Sequence, residues 1–226
     1  AILTVHGGWS PWLAMIVSAI GTAIIAYLIS IPIFRLSGHY LAMGTLAFGV
    51  IVYILLNEGK TLTGGHTGLP GIPRLAIGSL VLKSDLIYYY LVWAFAIVGI
   101  VIALNIVNSR FGRALRAIRD SELAAESLGV EGRRYKLHIL VVSAVYASVA
   151  GSLYAHYMIF VSPSAFDFGV SVRLVLMVAV GGLASIWGAP FGAAAVTLLT
   201  LVLREVIPLI TRGGSGEHQI VAYGIL

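Results

Sequence analysis

Long apolar stretches constrain this chain more than any other feature of its sequence. The clearest occupy residues 11–34, 87–107 and 137–160. A helix needs about 20 mostly apolar residues to cross the hydrocarbon core of a bilayer. Only 10% of the residues are charged, against roughly 25% in soluble domains. The sequence therefore predicts an all-α, polytopic transmembrane helical bundle that is surrounded by membrane lipid.

Other apolar stretches are short or broken by glycine and proline. Residues 40–56 form one short stretch, and residues 172–187 are barely long enough to span before 190–210 follow. Breaks at membrane depth are tolerated only where protein shields them or where they line a cavity. Residues 172–210 therefore form either a tight helical hairpin or a half-membrane helix. The residues that could mark a helix break near a pathway, or a close helix contact, are Gly181, Gly182, Gly188, Pro190 and Gly192.

The two ends of the chain look cropped. The sequence begins with Ala1, and its final apolar run, residues 220–226, is too short to span. We expect residues 1–226 to form a single transmembrane domain that lacks helices at both ends, with at least one further helix after Leu226.

Basic residues cluster in one short segment, which carries seven of the fourteen lysines and arginines. These are Arg110, Arg113, Arg116, Arg119, Arg133, Arg134 and Lys136. Short loops rich in Lys and Arg stay on the cytoplasmic side of a membrane. We therefore interpret residues 108–136 as a cytoplasmic segment and not as a nucleic-acid site. The chain contains no cysteine, which excludes disulfides and thiolate metal sites.

Residues 112–130 have the pattern of one amphipathic helix of about four turns. No glycine or proline interrupts residues 113–128, and Gly129 is a suitable terminator. At 100° per residue, small and apolar side chains share one arc and charged ones lie opposite. The apolar arc contains Ala114, Ala117, Ile118, Ser121, Ala124, Ala125 and Leu128. Such a helix is either a solvated or lipid-bound loop helix, or a rigid element that transmits motion from a partner.

The same segment resembles the cytoplasmic loop of branched-chain amino-acid ABC permeases, which docks into an ATPase subunit. The similarity includes Glu122, Ala124, Ala125, Glu126 and Gly129 in order. Residues 62–74, 134–144, 151–166 and 176–194 also resemble that family, and specifically the second of its two paired permeases. The resemblance covers nearly the whole chain.

The resemblance implies a division of labour between subunits. The partners would be a paralogous permease in a heterodimer, two ATPase subunits that bind ATP and Mg, and an extracytoplasmic solute-binding protein. This chain would hold no catalytic residue and no cofactor, and it would lie in the inner membrane of a bacterium or archaeon. The ATPase-coupling residues would be Arg113, Arg116, Arg119, Asp120, Glu122, Ala124, Ala125, Glu126 and Gly129. The contact with the binding protein would include Gly64, Gly65, Gly68 and Gly71.

Three functions remain open from the sequence. The resemblance implies import of branched-chain or other neutral amino acids, and related permeases of the same architecture carry urea or short amides. A secondary transporter or channel is the alternative from another class, but such proteins use intramembrane carboxylates, and Glu205 is the only acidic residue within an apolar stretch.

Gly59-Lys60-Thr61 is similar to the end of a phosphate-binding loop, yet Ile54 stands where that motif needs glycine.

Histidines are too scattered along the chain to predict a metal site. His156 differs from the others because it lies within the apolar stretch 137–160, beside Tyr154 and Tyr157. Ionisable groups inside a membrane are functional candidates, so His156 is a candidate pathway residue. The competing interpretation is a neutral, hydrogen-bonded imidazole near the outer interface, where aromatic residues collect.

Overall fold

The protein is described by a computed structural model that covers residues 1–36, 39–59, 63–77, 80–81, 84–182 and 185–211. Side chains at positions 42, 77, 80–81 and 204–211 are outside this description. So are Lys60 and Thr61, and the apolar run 220–226. The side chain of Glu205 therefore lies outside the described residues, although its backbone belongs to a helix.

The described residues form nine helices and four two-residue strands. The helices are α1 Ile2–Val5, α2 Pro11–Ile33, α3 His39–Glu58, α4 Asp85–Asn108, α5 Arg110–Asp120, α6 Glu122–Ser127, α7 Gly132–Met158, α8 Phe168–Gly181 and α9 Gly188–Thr211. The strands are β1 Leu69–Pro70, β2 Ala76–Ile77, β3 Leu80–Val81 and β4 Phe160–Val161, with β1 antiparallel to β4 and β2 antiparallel to β3. Short 3₁₀ turns cover Gly65–Thr67 and Pro163–Phe166.

Five helical segments within the described residues are long and apolar enough to cross a membrane. They are Pro11–Ile33, His39–Glu58, Asp85–Asn108, Gly132–Met158 and Pro163–Gly181. Most of their side chains are exposed, as Leu28 in α2 illustrates at 59% exposure. Lipid is a suitable solvent for such an apolar exterior, whereas water is not. The prediction of an all-α, multi-pass membrane protein is therefore confirmed.

The chain divides into two compact units, Ala1–Asp167 and Phe168–Leu226. In the first unit, α2 packs along α7, where Ser18 Oγ lies 3.3 Å from Ser152 Oγ. Helix α4 is joined to α7 by the Tyr146 hydroxyl, which donates to Gly99 O at 2.9 Å. Hydroxyl and small side chains at these crossings are the usual means of helix association in lipid, where apolar burial alone offers little advantage.

The second unit contains α8 and α9, which pack as an antiparallel pair. A Cβ on Gly192 would meet the backbone oxygen of Met177, and one on Gly181 would meet the backbone of Gly188. The helices therefore approach to backbone contact, which only glycine permits at these points.

The predicted apolar stretch 172–187 is wrong at both ends. Helix α8 begins at Phe168, directly after the 3₁₀ turn Pro163–Phe166, and ends at Gly181. Gly182 stops it because this residue adopts φ +99°, a conformation that glycine reaches without steric cost. Its N–H still bonds back to Val178 O at 3.0 Å. The segment that could span is therefore shifted toward the N-terminus by several residues.

The prediction of one continuous helix across residues 112–130 is also wrong. Ser121 adopts an extended backbone, φ −159° and ψ 112°, and separates α5 from α6. Its Oγ accepts a hydrogen bond from Ala124 N at 3.3 Å, so it serves as the N-cap of α6. Serine at this position favours the start of a new helix over continuation of α5, because its side chain satisfies an amide that the new helix would otherwise leave unpaired.

Candidate functional site

Helices α5 and α6 lie at one end of the spans of the first unit, here named the basic end, which comprises residues 109–136. Ser109 caps α5, because its Oγ accepts from Phe111 N at 3.1 Å and Gly112 N at 3.4 Å. Ile118 of α5 and Ala125 of α6 are buried, at 7% and 2% exposure. Both short helices pack against α7, so the bent pair is held against a spanning helix and is not a loop without tertiary contacts.

The ion pairs at the basic end differ from those that helical spacing predicted. Glu122 Oε1 accepts from Lys136 Nζ of α7 at 2.6 Å. Arg119 Nε lies 4.0 Å from Asp120 Oδ1. In one continuous helix, spacing would pair Arg116 with Asp120 at i,i+4 and Arg119 with Glu122 at i,i+3, and neither pair is present in this described segment. The break at Ser121 turns Glu122 away from α5 and toward α7, which explains the change of partner.

Two leucines of the basic end are almost fully exposed. Leu123 is 82% exposed and Leu128 is 81% exposed. The continuous-helix prediction placed Leu128 on the apolar arc beside Ala125, but Leu128, the C-cap residue of α6, is exposed whereas Ala125 is buried. Sequence reasoning did not single out Leu123, because a spacing of five residues puts Leu123 and Leu128 on different faces of an uninterrupted helix.

The predicted coupling residues are brought together on this bent pair, and they do not all share its surface. Ala125 is buried against the rest of the protein, and Gly129 ends α6 with φ +81° and open space around its Cα. The remaining ones have exposed side chains: Arg113, Arg116, Arg119, Asp120, Glu122, Ala124 and Glu126. The exposed surface therefore combines charges of both signs with Leu123 and Leu128.

The opposite end of the spans is covered by the glycine-rich segment, and we name it the glycine-rich end. Gly64, Gly65, Gly68 and Gly71 all have positive φ, between 57° and 76°. A Cβ on Gly68 would lie 2.6 Å from Val161 O and 3.0 Å from Phe160 Cζ. Gly65 and Gly68 are buried, whereas Gly71 is exposed. Close packing of the segment onto β4 therefore requires glycine at Gly68, whatever the surface outside it binds.

Long-range hydrogen bonds tie this segment to the helices beneath it. Ile72 N donates to Ile159 O at 3.1 Å, next to the β1–β4 pair. Trp12 Nε1 of α2 donates to Ala76 O at 2.7 Å. Leu75, which is fully buried, packs with Tyr88 of α4 and Leu153 of α7. The segment is therefore an ordered cap over three helices.

His156 lies under this cap at the end of α7. Its side chain is 2% exposed, and its Nδ1 lies 2.7 Å from Pro73 O. A carbonyl can only accept, so Nδ1 carries a proton, and in the neutral imidazole Nε2 keeps a lone pair. His156 also lines a cavity of about 250 Å³ between the start of α4 and the end of α7. No three His, Asp or Glu side chains gather as metal ligands within the described part of the chain.

The glycines predicted to mark a helix break lie together at one end of the second unit. Gly181, Gly188 and Gly192 form the backbone contact between α8 and α9, and Gly182 is the exposed residue that ends α8. Pro190 is the third residue of α9, where a helix has no amide bond for proline to break.

Arg173 is a second residue that sequence reasoning missed. It lies on α8 within the segment Pro163–Gly181 that could span, and its Nη2 donates to Thr200 Oγ1 of α9 at 3.3 Å. Charged residues within spans mark pathways by default. The predicted start of the span at residue 172 concealed it, because an arginine at the first turn looks like an interfacial anchor.

Comparison with known proteins places the chain in a family. A family model described as "Branched-chain amino acid transport system / permease component" matches residues 1–224. The chain is 33% identical to the high-affinity branched-chain amino acid transport system permease protein LivM of Escherichia coli (strain K12), over 92% of this chain and 53% of that protein. It is 24% identical to the probable branched-chain amino acid transport permease protein LivM of Methanocaldococcus jannaschii, over 84% of this chain and 55% of the relative.

A relative that is named for a different substrate also matches. The nucleoside ABC transporter permease protein NupC of Lactococcus lactis subsp. cremoris is 25% identical over 66% of this chain and 50% of its own length. The chain spans about half the length of the curated relatives it matches. These relatives are named as permease proteins and not as enzymes. No solved structure matches the chain. The match over residues 1–224 confirms the resemblance, and the chain belongs to the branched-chain amino acid transport system permease family.

Proposed function

We propose that this chain is the membrane-spanning subunit of an ATP-driven ABC importer that carries branched-chain or other neutral amino acids into the cytoplasm of a bacterium or archaeon. Its partners would be a paralogous permease, two ATPase subunits that bind ATP and Mg, and an extracytoplasmic solute-binding protein. Family membership supports the class of protein. The observation that carries the coupling assignment is the bent pair α5–α6, which exposes Leu123 and Leu128 beyond the end of the spans.

The charge distribution supports an orientation for this subunit. The basic end carries seven of the fourteen basic residues, and Arg35, just after α2, lies at the same end of the spans. Because Lys and Arg are retained on the cytoplasmic side, residues 108–136 would face the cytoplasm. The glycine-rich end would then face the solute-binding protein.

Exposed leucines are the expected anchors for an ATPase subunit. Burial of apolar side chains that protrude beyond the membrane under a partner is favourable, and a few residues contribute most of the binding free energy at a typical protein interface. Burial of one leucine side chain contributes about 1.5–3 kcal/mol. The surrounding charges of both signs would fix the orientation of the partner more than its affinity.

The contacts around α6 supply a route for the motion of an ATPase dimer. Lys136 of α7 holds Glu122, and the buried Ala125 fixes α6 against the rest of the protein. Farther along, Arg133 Nη2 donates to Ile31 O of α2 at 3.0 Å. Displacement of α6 would therefore act on α7 and α2 together. The ATPase would bias a two-state equilibrium of the spans, and no chemistry is needed in this chain.

The test replaces each exposed leucine in the complete transporter. Leu123→Ala and Leu128→Ala should each weaken ATPase binding by roughly 10- to 150-fold if the leucine is buried at the interface. Leu28→Ala is the matched control, because it truncates an equally apolar, 59% exposed side chain within a span. Binding is measured by titration of the ATPase subunits onto permease in nanodiscs. Equal affinities for all three variants and the unchanged protein would refute the coupling assignment.

A second experiment addresses the substrate. Nucleosides are one alternative substrate, because the chain is similar to a nucleoside permease. Urea or short amides are the other alternative within the same architecture. Uptake of labelled leucine by the complete transporter should be reduced by excess isoleucine or valine and not by uridine or urea. Uptake of labelled uridine with no uptake of labelled leucine would assign the chain to nucleoside transport.

A further inference from the structure

The cavity at the glycine-rich end is lined by polar side chains that the coupling mechanism does not use, of which Tyr88 and His156 are buried and Arg74, Ser84 and Asp85 are exposed. It holds about 250 Å³ and lies wholly within the first unit. That volume is slightly below the roughly 300–1,000 Å³ of sites for drug-sized ligands. At about 30 Å³ per water-sized group, it has room for about eight such groups, the size of a free amino acid. The lining residues used below are Arg74, Ser84, Asp85, Tyr88, His156 and Ile159.

Two of these side chains are locked in place by hydrogen bonds. Tyr88 is 6% exposed, and its hydroxyl donates to Leu153 O at 2.6 Å. His156 is fixed through Nδ1 to Pro73 O, and in the neutral ring Nε2 is an acceptor on a side chain that lines the cavity. Walls whose rotamers are already fixed lose little entropy when a ligand binds, which favours recognition.

Ile159 shows that the backbone beside the cavity is strained. Its φ of 61° makes it the one non-glycine residue with positive φ among the residues described. For a β-branched residue this conformation is a genuine outlier. Ile159 is held there from both sides, because its N–H donates to Ala155 O at 3.1 Å and its carbonyl accepts from Ile72 N at 3.1 Å. Strain that the surroundings impose in this way clusters at functional sites.

The cavity also offers one cation and one anion. Arg74 comes from the cap segment, and Asp85 is the first residue of α4. A guanidinium matches the two oxygens of a carboxylate, and a carboxylate accepts hydrogen bonds from an ammonium group. Ser84 adds a hydroxyl, which makes no capping hydrogen bond to α4. The Tyr88 ring and Ile159 supply apolar surface between the polar groups.

We propose that this cavity binds a free, zwitterionic α-amino acid with an apolar side chain. Arg74 holds its carboxylate, Asp85 holds its ammonium group, and His156 Nε2 accepts from that ammonium or from a bound water. The site receives the solute at the outer end of α4 and α7 before it enters the spans. The inference rests on the proposed function for the direction of transport, and it adds a binding site and the residues that select the zwitterion.

The experiment measures saturation binding to the complete, nucleotide-free transporter in nanodiscs without the solute-binding protein. Three labelled probes separate the two ends of the zwitterion: L-leucine, leucinamide, which lacks the carboxylate, and 4-methylpentanoate, which lacks the ammonium group. Arg74→Gln should weaken leucine binding about tenfold or more and leave leucinamide binding unchanged. Asp85→Asn should do the same to leucine and leave 4-methylpentanoate binding unchanged.

Two further variants control for misfolding. Glu58→Gln removes an exposed carboxylate at the end of α3, at the same end of the spans and outside the cavity lining, and it should bind leucine as the unchanged protein does. Arg74→Lys keeps the positive charge but not the paired donors, and it should recover part of the lost leucine binding.

The outcomes separate this inference from the function on which it rests. Leucine binding that survives both Arg74→Gln and Asp85→Asn overturns the site, as does equal weakening of all three probes. Absence of leucine binding to the unchanged transporter also overturns it. ATP-driven leucine uptake by both the unchanged transporter and Arg74→Gln, with equal KM, refutes only the cavity site. Absence of ATP-driven uptake by the unchanged transporter refutes the proposed function itself.

Discussion

Replacement of Ser121 by alanine tests whether the bend between α5 and α6 depends on a local cap. The Ser121 Oγ caps α6 through Ala124 N, and loss of such a cap costs about 1 kcal/mol. Alanine also favours helix continuation over serine by roughly 0.5 kcal/mol. Together these terms shift the balance toward a straight helix by about 1.5 kcal/mol, or roughly tenfold. The half-exposed Glu122–Lys136 pair resists the change by less than about 1 kcal/mol.

The assay is a distance measurement between spin labels on the two helices. The 226 residues contain no cysteine, so labels at Arg113→Cys and Glu126→Cys report only these positions. A straight helix separates the two backbones by about 20 Å, and the bend shortens that distance. Ser121→Ala should raise the population near 20 Å by roughly tenfold. Ser127→Ala is the control, because the Ser127 hydroxyl only bonds back to Ala124 O within α6. Identical distance distributions for the two variants would refute the assignment of the bend to Ser121.

Two further predictions concern packing and charge. Gly192→Ala should destabilise the α8–α9 pair by about 1–3 kcal/mol, since the new Cβ meets the backbone of Met177. Gly151→Ala is the control, because it adds a Cβ in open space and should be neutral or stabilising. Equal denaturant midpoints for the two variants would contradict this packing. A double-mutant cycle with Glu122→Gln and Lys136→Met should give a coupling below about 1 kcal/mol that falls with added salt. A larger, salt-independent coupling would mean that the pair is buried in the assembled protein.

The spans were predictable because membrane insertion depends on composition over a long window. Any helix that crosses hydrocarbon must be apolar for about 20 residues, and that requirement is visible without knowledge of tertiary contacts. The position of Arg173 shows the limit of this reasoning. Its depth depends on where α8 begins, and that boundary follows a 3₁₀ turn at Pro163–Phe166 that hydropathy does not reveal.

The bend at Ser121 was not predictable from the absence of glycine and proline. Serine can continue a helix or cap a new one, with a difference of about 1 kcal/mol between the two. In the folded protein, contacts with α7 decide between them. One of these contacts joins Glu122 to Lys136, which is fourteen residues away in sequence, so a local pattern does not reveal it. The family resemblance singled out this segment and could not supply its shape.

The cavity at the glycine-rich end was only partly visible in the sequence. His156 was recognised as an ionisable group in an apolar stretch, but Arg74 and Asp85 are far from it along the chain. The three come together because β1 pairs with β4 and Ile72 bonds to Ile159. Two-residue strands give no periodic signal, so the juxtaposition depends on three-dimensional structure.

Uptake of labelled leucine into proteoliposomes tests the central claim most directly. The vesicles would contain the complete complex, with ATP enclosed with the ATPase subunits and the loaded solute-binding protein on the other side. An ATP-driven importer should accumulate leucine only with hydrolysable ATP, and it should continue to do so when ionophores have removed all ion gradients. Leucine accumulation that does not depend on ATP and stops when the ion gradients collapse would contradict the account and would make the chain part of a secondary transporter.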